Sequence, residues 1–179
     1  MLAATKPSIP HDQTMADVPT ILDQCGGPSV SRRPTTCSIA RGRSILDATP
    51  HLPTNPAHLG RAVSATVEPD FTGPDWFEAY AVRHEADGQE GRLVSQFAFS
   101  ESWDSWEMHP HGAELVICTQ GACTLHQEHA DGSTERVTLA LGDYAINPPG
   151  TWHTADVAPG ETCTAIFITP GIGTTHRPR

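Results

Sequence analysis

Between residues 92 and 169 the chain is a series of short segments in which apolar and polar residues alternate, each closed by glycine, proline or Asp-Gly. Successive side chains on a strand point to opposite faces, so a period of two predicts strands with one buried face. Strands are predicted near residues 92–100, 105–109, 114–119, 123–128, 134–139, 143–146, 152–155 and 162–169. The segment 76–84 (WFEAYAVRH) reads as a further strand, in a hairpin with 92–100. Asp131-Gly132 is a tight-hairpin pair, and Gly121, Gly142 and Gly150 punctuate other turns. No helical periodicity is visible. Many short strands with such turns indicate an all-β sandwich or barrel, and about 110 residues suffice for one closed core.

Residues 1–70 hold none of the 11 aromatic residues, nine of the 16 prolines, and a net charge of zero. The whole formal charge of −10 therefore lies beyond them. A stretch so poor in large apolar side chains cannot offset its ordering entropy. The predicted organisation is a Pro-rich low-order segment over residues 1–60, a β domain over 61–170 and a tail over 171–179. Short runs at 18–22 and 44–46 are the candidates for docking on the domain. The acidic balance argues against nucleic-acid and anionic-membrane partners, which need a basic face. No apolar run is long enough to span a bilayer, and no secretory h-region is visible at the N-terminus. Five cysteines without a CxxC pair disfavour a disulfide framework or a cysteine zinc site. The expected setting is reduced and cytoplasmic.

Seven of the ten histidines fall in the β region, and two segments stand out: Glu107-Met108-His109-Pro110-His111-Gly112-Ala113-Glu114, and Gly142 to His153 with its Pro148-Pro149-Gly150 turn. Glu107, His109 and His111 share one strand parity, with neighbours of that parity about 6.6 Å apart. His109 and Glu114 would be about 16 Å apart on an extended chain, so the chain must bend between them, and Pro110-His111-Gly112 suits a bend. Glu114 then opens the next strand facing the same centre. His153 arrives from a third strand. The product is a His/His/carboxylate set of His109, Glu114 and His153, with Glu107 or His111 as fourth ligand. Such sets bind first-row divalent metals and can leave positions open for substrate or water.

These residues resemble the two motifs of the cupin superfamily. Gly142, Pro148, Gly150 and His153 fit the second motif without a gap, and Glu114 and Gly121 fit the end of the first. The His pair of the first motif departs from the pattern. Aligning His109 as its second histidine places Glu107 where the family has the first, and this alignment is preferred over pairing His109 with His111. The resemblance covers about residues 103–169. It implies a jelly-roll β-barrel of two packed sheets with a metal ion inside its mouth.

Several residues carry a plainer reading beside the functional one. The ligand set could be a metal-free polar cluster, His111 a solvated turn residue, and Glu107 an outward-facing acid. His126 and His129 read as surface residues, and neither His84 nor His176 has an evident role. Trp103, Trp106 and Trp152 read as core more than as pocket lining, and Tyr80 and Tyr144 as core with a tethered hydroxyl. Cys118 shares parity with Glu114 and reads as a small interior filler. Lys6 is the sole lysine, which excludes a Schiff base in the barrel. The predicted function is a metal-dependent enzyme acting on a small organic molecule, dioxygenase-like ahead of isomerase or lyase. Its cofactor is a divalent ion among Fe, Mn, Ni and Zn, and homodimerisation through a sheet edge is allowed. The alternative is a cupin that binds or senses a small molecule or metal without turnover. No catalytic residue beyond the ligand set is singled out.

Overall fold

The computed structural model describes residues 49–179. The expectation of low order over residues 1–60, including the runs at 18–22 and 44–46, falls up to residue 48 outside the described residues.

The strands are β1 (Ala57–Leu59), β2 (Ala65–Val67), β3 (Arg92–Phe99), β4 (Ser105–Met108), β5 (Glu114–Gln120), β6 (Ala122–Glu128), β7 (Thr134–Ala140), β8 (Tyr144–Asn147), β9 (Trp152–Asp156), β10 (Cys163–Pro170) and β11 (Thr175–Pro178). One helix, α1 (Asp75–Arg83), lies between β2 and β3. A six-stranded sheet runs β2-β1-β3-β10-β5-β8 and a five-stranded one β11-β4-β9-β6-β7. All pairings are antiparallel. From β3 onward the chain crosses repeatedly between the sheets, which is the jelly-roll pattern.

The period of two decides what faces inward. Val116 and Cys118 on β5, Cys123 and Leu125 on β6, and Ala165 and Phe167 on β10 are buried while their neighbours are not. With Trp103, Leu139, Ala145, Ala155, Val157 and Cys163 they form one core between the sheets. Burying a side chain the size of Phe167 or Leu125 stabilises by about 1.5–3 kcal/mol. The turn joining β5 to β6 requires glycine: Gly121 has φ +70°, and a Cβ there would lie 2.0 Å from the Thr162 carbonyl oxygen.

Three expectations are corrected. The segment 76–84 is helical, not a strand. Trp76 and Tyr80, four apart, are its two buried residues, and Asp75, Glu78 and Arg83 sit at the ends that favour their charges. Its alternating look came from reading four-residue spacing as two. Consequently β3 has no hairpin partner there and pairs with β1 and β10. Trp76 and Tyr80 pack with Leu93 into a smaller second core, flanked by Phe71 and Phe77. The sheet also begins before residue 61, at Ala57, and the stretch read as a tail ends in β11, paired to β4. Both strands are three or four residues long and draw their order from a neighbouring strand.

Candidate metal centre

The same alternation that builds the core also builds a polar end to it. Along β5 the inward residues are Glu114, Val116 and Cys118; along β8 they are Ala145 and Asn147; on β10 they run through Phe167 to Thr169. On the facing sheet Gln127 follows Leu125 on β6, while Glu107 of β4 stands opposite His153 of β9. Each of these strands thus places a polar residue at one end of the interior. His109 follows β4 directly, and the Gly150 N–H donates to its carbonyl at 3.0 Å, which ties the Pro148–Gly150 turn to the first motif.

Glu107, His109, Glu114 and His153 each offer a donor atom, and the four atoms lie within 4.8 Å of one another. Exposure is 6%, 1%, 1% and 0% respectively. His153 Nε2 lies 3.0 Å from one Glu114 oxygen and His109 Nε2 lies 3.4 Å from the other. Glu107 Oε1 is 3.9 Å from His109 Nε2. Partners behind the donors set their orientation. Asn147 Nδ2 and Thr169 Oγ1 donate to the two Glu114 oxygens at 3.0 and 2.8 Å. Gln127 Nε2 in turn donates to Asn147 Oδ1 at 2.6 Å. His153 Nδ1 faces the Thr151 carbonyl at 3.3 Å, and His109 Nδ1 faces Thr174 Oγ1 at 3.0 Å. With Nδ1 engaged on each ring, Nε2 is turned to the centre, and both Nε2 atoms are buried without a hydrogen-bond partner among the described residues.

Burial opposes the charged forms, yet each side of the pair is held charged by the other. The Glu114 carboxyl is desolvated, but the positive charge of His153 and the close approach of both imidazoles hold it well below the usual carboxylate range. For His153, desolvation is outweighed by Glu114 and Glu107, and its imidazole is shifted up. Two orphaned Nε2 atoms facing an ionised carboxylate are what a divalent cation would satisfy, so the donor set fits one.

His111, the other candidate fourth ligand, is not brought to this cluster; it is exposed in the turn and lies against Gly173. Glu107 takes the inward position, 6% exposed. Trp106 and Trp152 point to the opposite face, where they clamp the Arg177 guanidinium at 5.2 and 4.5 Å, while Trp103 lies in the core. His126 is hydrogen-bonded to Asp156 at 2.6 Å and His129 faces Thr151 Oγ1 at 3.3 Å. Sequence reasoning missed His176, which β11 sets opposite Glu107 with Nε2 3.6 Å from Oε1. It missed Asn147 and Thr169 too, although they share strand parity with the buried Ala145 and Phe167.

No family model matches the chain, and no curated protein matches it. Among solved structures it is similar to the cysteine peptidase Peruvianin-I from Thevetia peruviana latex (19% identity, 47% of this chain and 54% of that one, TM-score 0.41). It is similar also to a recombinant oxalate oxidase in complex with glycolate (13% identity, 47% and 45%, TM-score 0.41) and to a cupin-like protein from Thermotoga maritima (23% identity, 49% and 64%, TM-score 0.40). The chain spans 45% to 64% of the length of these three. The two sheets form a jelly roll, with the residues of both sequence motifs at one end of its interior. No helix among the described residues is long and apolar enough to cross a membrane.

Proposed function

We propose that the chain is a metal-binding cupin whose ion is held by Glu107, His109, Glu114 and His153, and that it acts as a metal-dependent enzyme on a small organic molecule. The observation that carries this reading is the convergence of four buried donors within 4.8 Å, two of them imidazole nitrogens without another partner. Two imidazoles and carboxylate oxygens suit Fe(II), Mn(II), Ni(II) or Zn(II), and a bound ion of this class supplies Lewis acidity or, as iron, oxygen chemistry. Dioxygenase-like activity ranks ahead of isomerase or lyase activity because this donor set suits Fe(II). The chain's own part is to keep the site dry, to fix both imidazoles through Nδ1, and to keep Glu114 ionised through Asn147 and Thr169.

One observation favours a second reading, binding or sensing without turnover: all four donors are closed off from solvent, none more than 6% exposed. Elemental analysis of untagged protein tests the centre, with His153→Ala expected to carry one ion fewer per chain than wild type. An unchanged metal content overturns the proposal. Oxygen uptake by the iron-loaded chain with small aromatic and diketone compounds then separates the readings. Uptake abolished in His153→Ala supports the enzyme; a filled site with no uptake supports binding alone.

A further inference from the structure

A second group of side chains converges where β1, α1 and the 3-10 segment Glu85–Glu90, kinked at Gly88, meet. His58, His84 and Asp87 each offer a donor atom, and the three atoms lie within 4.8 Å of one another. We propose that His58 Nε2, His84 Nδ1 and Asp87 Oδ2 form a second cation site, separate from the barrel cluster, for a borderline divalent ion such as zinc or cobalt.

Both rings are aimed by buried partners on their far nitrogens. His84 Nε2 lies 2.7 Å from Glu68 Oε1, and His58 Nδ1 lies 2.8 Å from the Tyr80 hydroxyl. Glu68 is 4% exposed, and Arg83 balances its charge through a 2.8 Å contact to the other oxygen. A carboxylate behind an imidazole is the usual support of a metal-bound histidine. The near nitrogens are thereby turned to Asp87, whose Oδ2 is 2.7 Å from His58 Nε2 and 3.9 Å from His84 Nδ1.

Gly60 supplies an independent observation. A Cβ at this position would fall 2.6 Å from Ser64 Oγ, 2.8 Å from Asp87 Oδ2 and 2.9 Å from His58 Nε2. The backbone there is extended, with φ −103°, so conformation does not call for glycine. What excludes a side chain is the polar cradle itself. Two imidazole nitrogens with one carboxylate select a borderline ion over Mg or Ca, which prefer all-oxygen sets.

The chain can accommodate the ion. The two imidazoles are stacked, with centroids 3.5 Å apart and planes 15° from parallel, and must splay to share it. His84, at the end of α1 and 17% exposed, is the ring with room to turn. His58 must release its Nε2 proton, and Tyr80 permits this because a hydroxyl accepts from Nδ1–H as readily as it donates to Nδ1.

The test is zinc titration of the chelator-stripped full chain, read by equilibrium dialysis with elemental analysis. His84→Ala is expected to bind one zinc fewer than wild type, and Glu68→Gln to bind at this site about 10–100-fold more weakly. In the unaltered protein, nitrogen NMR is expected to show zinc-dependent shifts at His84 Nδ1 and His58 Nε2, which needs no variant to fold. Equal stoichiometry in wild type and His84→Ala, with those nitrogens unshifted, overturns the proposal. The barrel reading fails separately: His153→Ala then matches wild type while His84→Ala still loses an ion.

Discussion

The two histidine clusters differ in what holds them. The barrel donors come from strands of two facing sheets and, for His109, from the residue directly after β4; they are at most 6% exposed and leave both Nε2 atoms without hydrogen bonds. The cluster beside α1 is built on a three-residue strand, a helix end and a short turn, and His58 and Asp87 already satisfy each other at 2.7 Å. Rigid scaffolds can hold donors in an unsatisfied arrangement that a mobile one would relax. The barrel cluster therefore looks built for an ion, whereas the second is a hydrogen-bonded assembly that an ion must reorganise.

The largest effect that sharpens this contrast is expected from Glu114→Ala. It removes the counter-charge of His153 and the acceptor for Asn147 and Thr169, leaving buried polar groups uncompensated. Breaking a buried pair in this way costs about 3–5 kcal/mol. Denaturant unfolding without metal measures it, and elemental analysis should show the barrel ion gone. A loss within about 1 kcal/mol would mean that Glu114 is not the electrostatic centre. Next comes Asn147→Ala, which takes the 3.0 Å donor from Glu114 Oε2. Barrel metal affinity should fall about 10–100-fold, with zinc uptake beside α1 unchanged. An equal fall at both sites would erase the distinction between them.

The unequal legibility of the two clusters has the same physical origin. Gly142, Pro148, Gly150 and His153 sit at spacings imposed by one turn and one strand, so sequence alone reveals them, as it does Glu114 through its parity with Val116 and Cys118. The choice between Glu107 and His111 hung on whether the bend at Pro110 carries residue 111 inward; the structure keeps His111 outside. His58, Glu68, His84 and Asp87 share no periodic spacing. They meet because α1 folds over Leu93, and α1 itself was misread when the four-residue separation of Trp76 and Tyr80 passed for alternation. His176 likewise gains its place opposite Glu107 from a long-range strand pairing, which no local pattern encodes.

Tyr80→Phe probes the second cluster alone. The hydroxyl 2.8 Å from His58 Nδ1 disappears while the ring stacked on Trp76 stays. The expected loss is about 1 kcal/mol, near the lower end for a buried hydrogen bond left unmade, because Asp87 can still engage Nε2. Thermal unfolding reads the loss, and barrel metal content should not change. A drop there would show that the two clusters are energetically joined.

The smallest effect is expected where an ion pair lies on the outside of the barrel and belongs to neither cluster. Asp156 contacts Arg179 at 2.5 Å and His126 at 2.6 Å, and is 35% exposed. The Arg179 hydrogen bond, followed by those from Ser102 and His126, outweighs partial burial and holds its carboxyl well below the ordinary range. A carboxyl depressed in the folded state contributes its stability above its unfolded value, about 3.9, and loses it as the pH falls below that toward the folded value. Asp156→Asn should therefore lower stability at pH 7 by under about 1 kcal/mol, since solvent screens the pair. The gap should close on acidification below about pH 4. A gap that widened in acid would contradict the sign of the shift, and a loss as large as that of Glu114→Ala would mean that burial does not separate the interior charges from this surface pair.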